Sequence, residues 1–301
     1  MSSRPRIGWI GAGRMGVPMA GFILRAGYPV AVFSRNAANR SKLVVQGAQE
    51  TASVADCTCA SDIVFASVAD DGALREVALG ADGVLAHARR GTIFADTSTV
   101  SAEVSAEIGE EAKRHGIEYL RAPISGNAAS AVTGDVTVLV SGPQWAWETI
   151  RPVLSAFSKA QIYLGEGESA RYMKLVINAL VVNTAQALAE ALALGRKAGL
   201  GWDTLLDTIA ASTIASPWLK VKSELLKRRD FTPTMTTRLI LKDIDLMLAA
   251  AHAHDAPMPL IALTRELMQA TVQAGFADED YMAIVKLAEQ QAGLSSEDIE
   301  R

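Results

Sequence analysis

The sequence predicts an α/β protein in which an N-terminal, doubly wound and mostly parallel sheet is followed by an all-helical C-terminal domain. Three observations point to this. Up to about Leu164, short β-branched or apolar runs alternate with helical stretches, the pattern of a parallel sheet covered by helices. From Ser169 onward the strand signal disappears. In its place residues 173–197 form a proline-free run, rich in alanine and leucine and apolar nearly all round, which reads as a long helix buried on several sides. We therefore expect a first domain at residues 1–164 and a second at 165–301.

Taken in order, the first strand is the apolar run from Ile7, which breaks into Gly11-Ala12-Gly13-Arg14-Met15-Gly16. A helix at 15–24 is closed by Gly27, and a second strand at 29–33 completes a βαβ unit. Strands follow at 62–67, 92–95, 117–120, 136–140 and 161–164. After the long helix come helices at 202–211, 217–227, 236–254, 259–274 and 281–291, and the tail from Leu294 to Arg301 reads as frayed. No internal repeat is visible.

The glycine spacing carries the first functional signal. Gly11 suits a tight strand-to-helix turn, Gly13 lets backbone approach a pyrophosphate, and Gly16 lets the helix pack closely on its strand, the arrangement of a Rossmann-type dinucleotide site. Free N–H groups at the start of the helix then face the phosphates. An acidic residue at the end of the second strand would select the adenosine ribose of NAD. The chain instead reads Ser34-Arg35-Asn36, with Arg40 one helical turn further on. A guanidinium fork suits a 2′-phosphate, so the sequence favours NADP(H) over NAD(H). Ser67 and Val68, ending the strand at 62–67, are expected to touch the cofactor at the ligand crevice of the sheet.

Composition narrows the alternatives. Half of the 301 residues are hydrophobic, the net charge is −4 and the basic residues are dispersed, which gives no nucleic-acid surface. No apolar targeting core precedes the first strand, and no run reaches about 20 uninterrupted apolar residues, so a cytoplasmic protein with no membrane partner is expected. Cys57 and Cys59, two apart on a helix, read as small packing residues in a reducing compartment. His87, His115, His252 and His254 show no metal spacing, and no metal is expected.

Several motifs, in one order along essentially the whole chain, resemble the β-hydroxyacid dehydrogenases, a family that includes 3-hydroxyisobutyrate dehydrogenase and tartronate semialdehyde reductase. Gly11-Ala-Gly-Arg-Met15-Gly-Val-Pro18-Met19 is similar to the family's N-terminal signature. Asp96-Thr-Ser98-Thr99 resembles its segment near the nicotinamide ribose, and Ala122-Pro-Ile-Ser125-Gly126-Asn127 its substrate loop. Lys174 and Asn178 match the catalytic lysine and its asparagine partner, Lys242-Asp243 a late pair facing the cofactor, and Phe231-Thr-Pro233 a motif of the substrate pocket. Three positions depart from the family: Asn127 and Ala170, where glycine is common, and Met235, where phenylalanine is common.

The resemblance implies an NADP-dependent enzyme interconverting a small 3-hydroxy acid and its semialdehyde. Such chemistry needs a hydride carrier and a group that handles the hydroxyl proton. Lys174, in an otherwise apolar helix, suits the second task, and Asn178 shares its face four residues on. Ser125, Gly126 and Asn127 would grip a carboxylate through successive N–H groups and a hydroxyl. Arg238, one turn before Lys242, would meet a second acidic group. Two alternatives are an imine reductase-like enzyme, which Lys174 disfavours, and a non-catalytic cofactor-binding interaction protein. The apolar surface of the long helix predicts a partner subunit, in a homodimer or homotetramer.

Overall fold

Of the six short strands in the main sheet, those at 7–10, 30–33, 63–66 and 93–96 read as near-continuous apolar runs because both of their faces are buried, whereas the two-residue strand at 49–50 is an exposed polar edge. The six are β1 (Ile7–Ile10), β2 (Val30–Phe33), β3 (Gln49–Glu50), β4 (Ile63–Ala66), β5 (Ile93–Asp96) and β6 (Glu118–Arg121), all parallel, in the order β3-β2-β1-β4-β5-β6. The computed structural model describes residues 4–294 and separates into two compact units, Met1–Ile177 and Asn178–Arg301. The tail expected to fray lies, beyond Leu294, outside the described residues.

Alternation along the strands sends successive side chains to opposite faces. Ile7, Trp9, Ile63, Phe65, Ile93 and Ala95 join one core cluster with Met19 and Ile23 of helix α1 (Gly16–Arg25). Ile10, Val64, Ala66 and Phe94 join the other, with Leu74 of a helix at Asp71–Leu79 and Ile108 of one at Ala102–His115. Trp9 stacks on Phe65 at a centroid distance of 5.3 Å and meets Phe157 edge-on at 6.1 Å. The order reverses between β1 and β4, which opens a crevice at the carboxyl ends of these strands.

Two expected strands do not extend this sheet. The segments at 136–140 and 161–164 belong to a separate three-stranded sheet of β7 (Ile124–Ser125), β8 (Val136–Val140) and β9 (Ser158–Tyr163). β7 pairs antiparallel with β8, and β8 parallel with β9. Pro123 lies two residues beyond the end of β6 and has no N–H to continue a ladder. Its carbonyl accepts from Leu139 instead, which turns the chain onto β8.

The cysteines also divide. Both lie on the helix at Val54–Cys59, but only Cys57 is buried, with its Sγ 3.5 Å from the Ala31 carbonyl; Cys59 is exposed and does not serve as core packing. Burial pushes the Cys57 thiol up to about 12.

The second unit is helical: Trp202–Ala211, Pro217–Lys227, Thr237–Ala253, Pro259–Thr271 and Ile284–Gln291 follow a helix at Ser169–Lys197 that runs into it from the first unit. Among the described residues this 29-residue helix is the one long and apolar enough to cross a membrane by length and composition, and 44% of its most apolar window is buried. A buried ion pair ties the unit together. Lys222 Nζ lies 2.7 Å from Asp280 Oδ1, Asp280 Oδ2 accepts from both the N–H and hydroxyl of Thr234, and Tyr281 lies under the ammonium at 4.6 Å. Burial pulls the Lys222 ammonium down while Asp280 partly offsets that.

Candidate cofactor and catalytic site

The turn after β1 is built around one carbonyl group. Gly11 has φ +98°, and a Cβ there would lie 2.2 Å from the Ser67 carbonyl oxygen, so only glycine fits. A Cβ on Gly16 would come within 2.1 Å of the Gly11 carbonyl. That carbonyl accepts from the indole N–H of Trp9 at 3.0 Å. Gly13 is different: a Cβ there would meet nothing within 4 Å. Space is thus left open beside Gly13, and no side chain caps α1, although the Val17 N–H already donates to the Gly13 carbonyl at 3.0 Å. Arg14 and Met15 complete the turn. The residues present fit a dinucleotide.

A cleft of about 550 Å³ continues from the turn. Gly11, Ala12 and Gly13 line one end, Ser34, Arg35 and Asn36 another, and Ser67, Val68, Ala73 and Val77 form a largely apolar wall suited to a planar base. Asn36 has a local task as well, since its Oδ1 caps the helix at Ala37–Val44 by accepting from Asn39 N–H at 3.1 Å. Arg40 is committed to the wall. Its Nε meets Glu50 Oε1 at 2.5 Å and its other nitrogen donates to the Ser34 carbonyl. Of the two guanidiniums expected near a 2′-phosphate, Arg35 is therefore the one that lines the cleft.

The loop after β5 is held from several sides. Ser98 Oγ accepts from Val68 N–H at 2.9 Å, and Ser98 N–H donates to Asp96 Oδ1 at 3.0 Å, next to Thr99. Arg171, fully buried in the first turn of the long helix, donates to the Ser98 carbonyl at 2.7 Å, to Ser105 Oγ at 3.1 Å, to Tyr119 Oη at 3.0 Å and to Asp96 Oδ2. Burial opposes the charge on Arg171 more than any single neighbour favours it, yet Asp96, Tyr119 and Glu168 together outweigh it and the guanidinium is held above its ordinary value. Burial likewise pushes the Tyr119 hydroxyl up.

In the proposed substrate loop, Ser125 pairs with Thr137 across β7 and β8. Gly126 sits at φ +153°, where a Cβ would be 2.7 Å from Ser130 Oγ. Asn127 forms a capping box: its Oδ1 accepts from Ser130 N–H at 3.0 Å and its own N–H donates to Ser130 Oγ at 2.8 Å. Its side-chain oxygen and N–H are therefore spent on the helix at Ala128–Thr133. This gives the asparagine a local structural reason.

Lys174 is buried at 8% exposure, and Asn178 stands one turn later on the same helix. Asn178 Nδ2 donates to Asp243 Oδ2 at 2.8 Å, and Lys242 Nζ lies 2.8 Å from Asp243 Oδ1. Asp243 thus fixes the asparagine amide. Phe231 is buried under the Lys286 ammonium at 4.2 Å, with Arg229 at 5.8 Å. Arg238 is exposed and lies 4.0 Å from Asp278. Sequence reasoning missed Arg171, Trp9 and Tyr119 as parts of this architecture; an arginine inside an apolar helix one turn before Lys174 was the available signal for the first.

Residues 6–165 match the family model described as the NAD binding domain of 6-phosphogluconate dehydrogenase. Residues 168–288 match the NAD-binding domain of NADP-dependent 3-hydroxyisobutyrate dehydrogenase. The chain is 34% identical to 2-(hydroxymethyl)glutarate dehydrogenase of Eubacterium barkeri, over 98% of both chains. It belongs to the β-hydroxyacid dehydrogenase family. Solved structures agree: 3-hydroxyisobutyrate dehydrogenase of Salmonella typhimurium is 27% identical with a TM-score of 0.86, covering 94% of this chain and 99% of that one. The Mycobacterium tuberculosis 3-hydroxyisobutyrate dehydrogenase, solved with L-serine, is 28% identical with a TM-score of 0.84 over the same shares. As a member, the protein is an oxidoreductase with an NAD(P)-binding Rossmann domain. The second family model runs across the long apolar helix, so that helix is a standard part of this fold.

Proposed function

We propose that the protein is an NADP-dependent dehydrogenase or reductase that interconverts a small 3-hydroxy acid and its semialdehyde, with Lys174 as general acid and base. The observation that carries the reading is the buried Lys174, one turn before an Asn178 whose amide is fixed by Asp243. A bound nicotinamide supplies or accepts the hydride. In reduction the Lys174 ammonium hydrogen-bonds the carbonyl oxygen and gives it a proton; in oxidation the neutral amine takes that proton back. Asn178 holds the lysine or the substrate oxygen in line. Ser125 and Gly126 bind the carboxylate, with Phe231 as pocket wall, Lys242 toward the cofactor and Arg238 toward any second acidic group.

Arg35 in the lining of the cleft supports NADP, and Glu50, which does not line it, is engaged by Arg40. The name of the Eubacterium barkeri relative supports the substrate class, because its substrate carries a hydroxymethyl group next to a carboxylate. Exposed Val176, Leu180 and Leu194 on the long helix support a homodimer or homotetramer, and we place the enzyme in the cytoplasm, with residues 1–164 as its cofactor domain. The test is turnover of small semialdehydes with NADPH and with NADH by wild type and Lys174→Ala. NADPH preference with a loss of about 10²-fold or more in kcat for the variant supports the reading; turnover retained by the variant refutes it.

A further inference from the structure

One buried side chain links the helix that carries Lys174 to the loop that carries Ser98 and Thr99, and both ends lie within the first unit. All three nitrogens of Arg171 are engaged. Nε meets Ser105 on the helix at Ala102–His115, one terminal nitrogen meets the Ser98 carbonyl, and the other meets Asp96 at the end of β5 and Tyr119 in β6. Asp96 uses its second oxygen to hold the Ser98 N–H, so the peptide groups on both sides of Ser98 are fixed by a single ion pair. Ser98 in turn holds Val68 N–H at the end of β4, which lines the cofactor cleft.

We infer that Arg171 is a positioning residue that sets the reach of Lys174 relative to the nicotinamide end of the cofactor site; the inference rests on the reading of Lys174 proposed above. The two residues are three positions apart, which is a rise of about 4.5 Å and a rotation of about 60° between their directions. Pinning Arg171 therefore fixes both the height and the rotation of the turn that aims Lys174. Neighbouring contacts hold the same turn without reaching Ser98. Ser141 Oγ accepts from Ala170 N–H at 3.1 Å and donates to the Gly167 carbonyl at 2.7 Å, and Arg121 pairs with Glu168. Arg171 joins that turn to the Ser98 peptide directly.

Stability does not account for the arrangement. A buried ion pair is often matched or surpassed in stability by apolar residues of similar volume, whereas register is its better-attested use. The chemistry here has a narrow geometric tolerance, since a displacement of about 1 Å can cost roughly 10²-fold in rate.

The experiment compares wild type, Arg171→Lys, the paired variant Arg171→Met/Asp96→Asn, and Tyr119→Phe, with Lys174→Ala alongside. Folding is checked by circular dichroism and thermal melting, and turnover is measured with NADPH and with NADPH deuterated at the transferred position. We expect kcat to fall by about 10- to 100-fold in the first two variants, KM for NADPH to change far less, and the deuterium isotope effect on kcat to rise as hydride transfer becomes limiting. Tyr119→Phe removes the hydroxyl's contacts with Arg171 and Ser105, keeps the ion pair and should show the same changes in smaller measure, which decides the matter should the arginine variants not fold. Folded variants with wild-type kcat and isotope effect overturn the inference. Retained turnover in Lys174→Ala would instead overturn the acid/base reading, and the two failures are read on different proteins.

Discussion

Trp9→Phe tests whether the strand beneath the phosphate turn holds that turn in shape. The indole N–H donates to the Gly11 carbonyl at 3.0 Å, and the Trp9 ring is fully buried, stacked on Phe65. Phenylalanine keeps an aromatic ring there and deletes the donor. Leaving the part-buried Gly11 carbonyl without its partner costs about 1 kcal/mol, and the smaller ring adds about 1 kcal/mol of lost packing, so unfolding should be easier by about 2 kcal/mol. If about 1.4 kcal/mol of that falls on the turn in its phosphate-binding shape, cofactor affinity drops about tenfold. Phe65→Leu is the control, because it removes the stacking partner and leaves the N–H in place. Urea denaturation gives the stability change, and titration of the folded protein followed by NADPH fluorescence gives the affinity. The reasoning fails if Trp9→Phe binds NADPH as tightly as wild type, or if Phe65→Leu weakens binding equally.

Gly11→Ala and Gly13→Ala should part ways. The first forces a Cβ against the Ser67 carbonyl in a left-handed backbone and should destabilise the fold by more than about 2 kcal/mol, whereas the second meets open space, keeps the melting temperature within about 2 °C and loses cofactor affinity by calorimetry. Arg6, through hydrogen bonds to its side chain first, and Arg89 hold the Asp62 carboxyl down to about 2. Because the folded value is depressed, the stabilisation is present above the ordinary value near 4 and is lost as pH falls from about 4 to about 2. The pair is partly exposed, so Asp62→Asn should flatten urea stability across that window by less than about 1 kcal/mol. Lys222→Met strands the Asp280 carboxylate in the helical unit and should cost about 3–5 kcal/mol in chemical denaturation.

The parallel sheet was legible because β1, β4 and β5 are buried on both faces and so read as plain apolar runs. What those runs could not disclose was membership of a sheet: β8 has the same apolar look as β5, and a single proline at 123 separates their ladders. The three glycines could be read from their spacing, although their reasons differ: Gly11 and Gly16 lie against the Ser67 and Gly11 carbonyls, whereas Gly13 leaves open space. The roles of Arg40 and Arg171 depend on partners 10 and 75 residues away in sequence, Glu50 and Asp96, and no local pattern encodes such pairs. Asn127 lay between: its capping partner Ser130 is three residues on, a local signal overshadowed by its place in the substrate loop.

The unequal burial of the two cysteines makes the protein its own stopwatch. A thiol held near 12, with its sulfur against the Ala31 carbonyl under β1 and β2, is closed to alkylating reagents until the first βαβ unit opens, whereas Cys59 reacts from the outset. The second, slow equivalent of label therefore clocks the opening of the strands that flank the phosphate turn. A bound dinucleotide that braces this turn would lengthen the delay in proportion to its occupancy, turning thiol chemistry into a measure of cofactor affinity that needs no substrate.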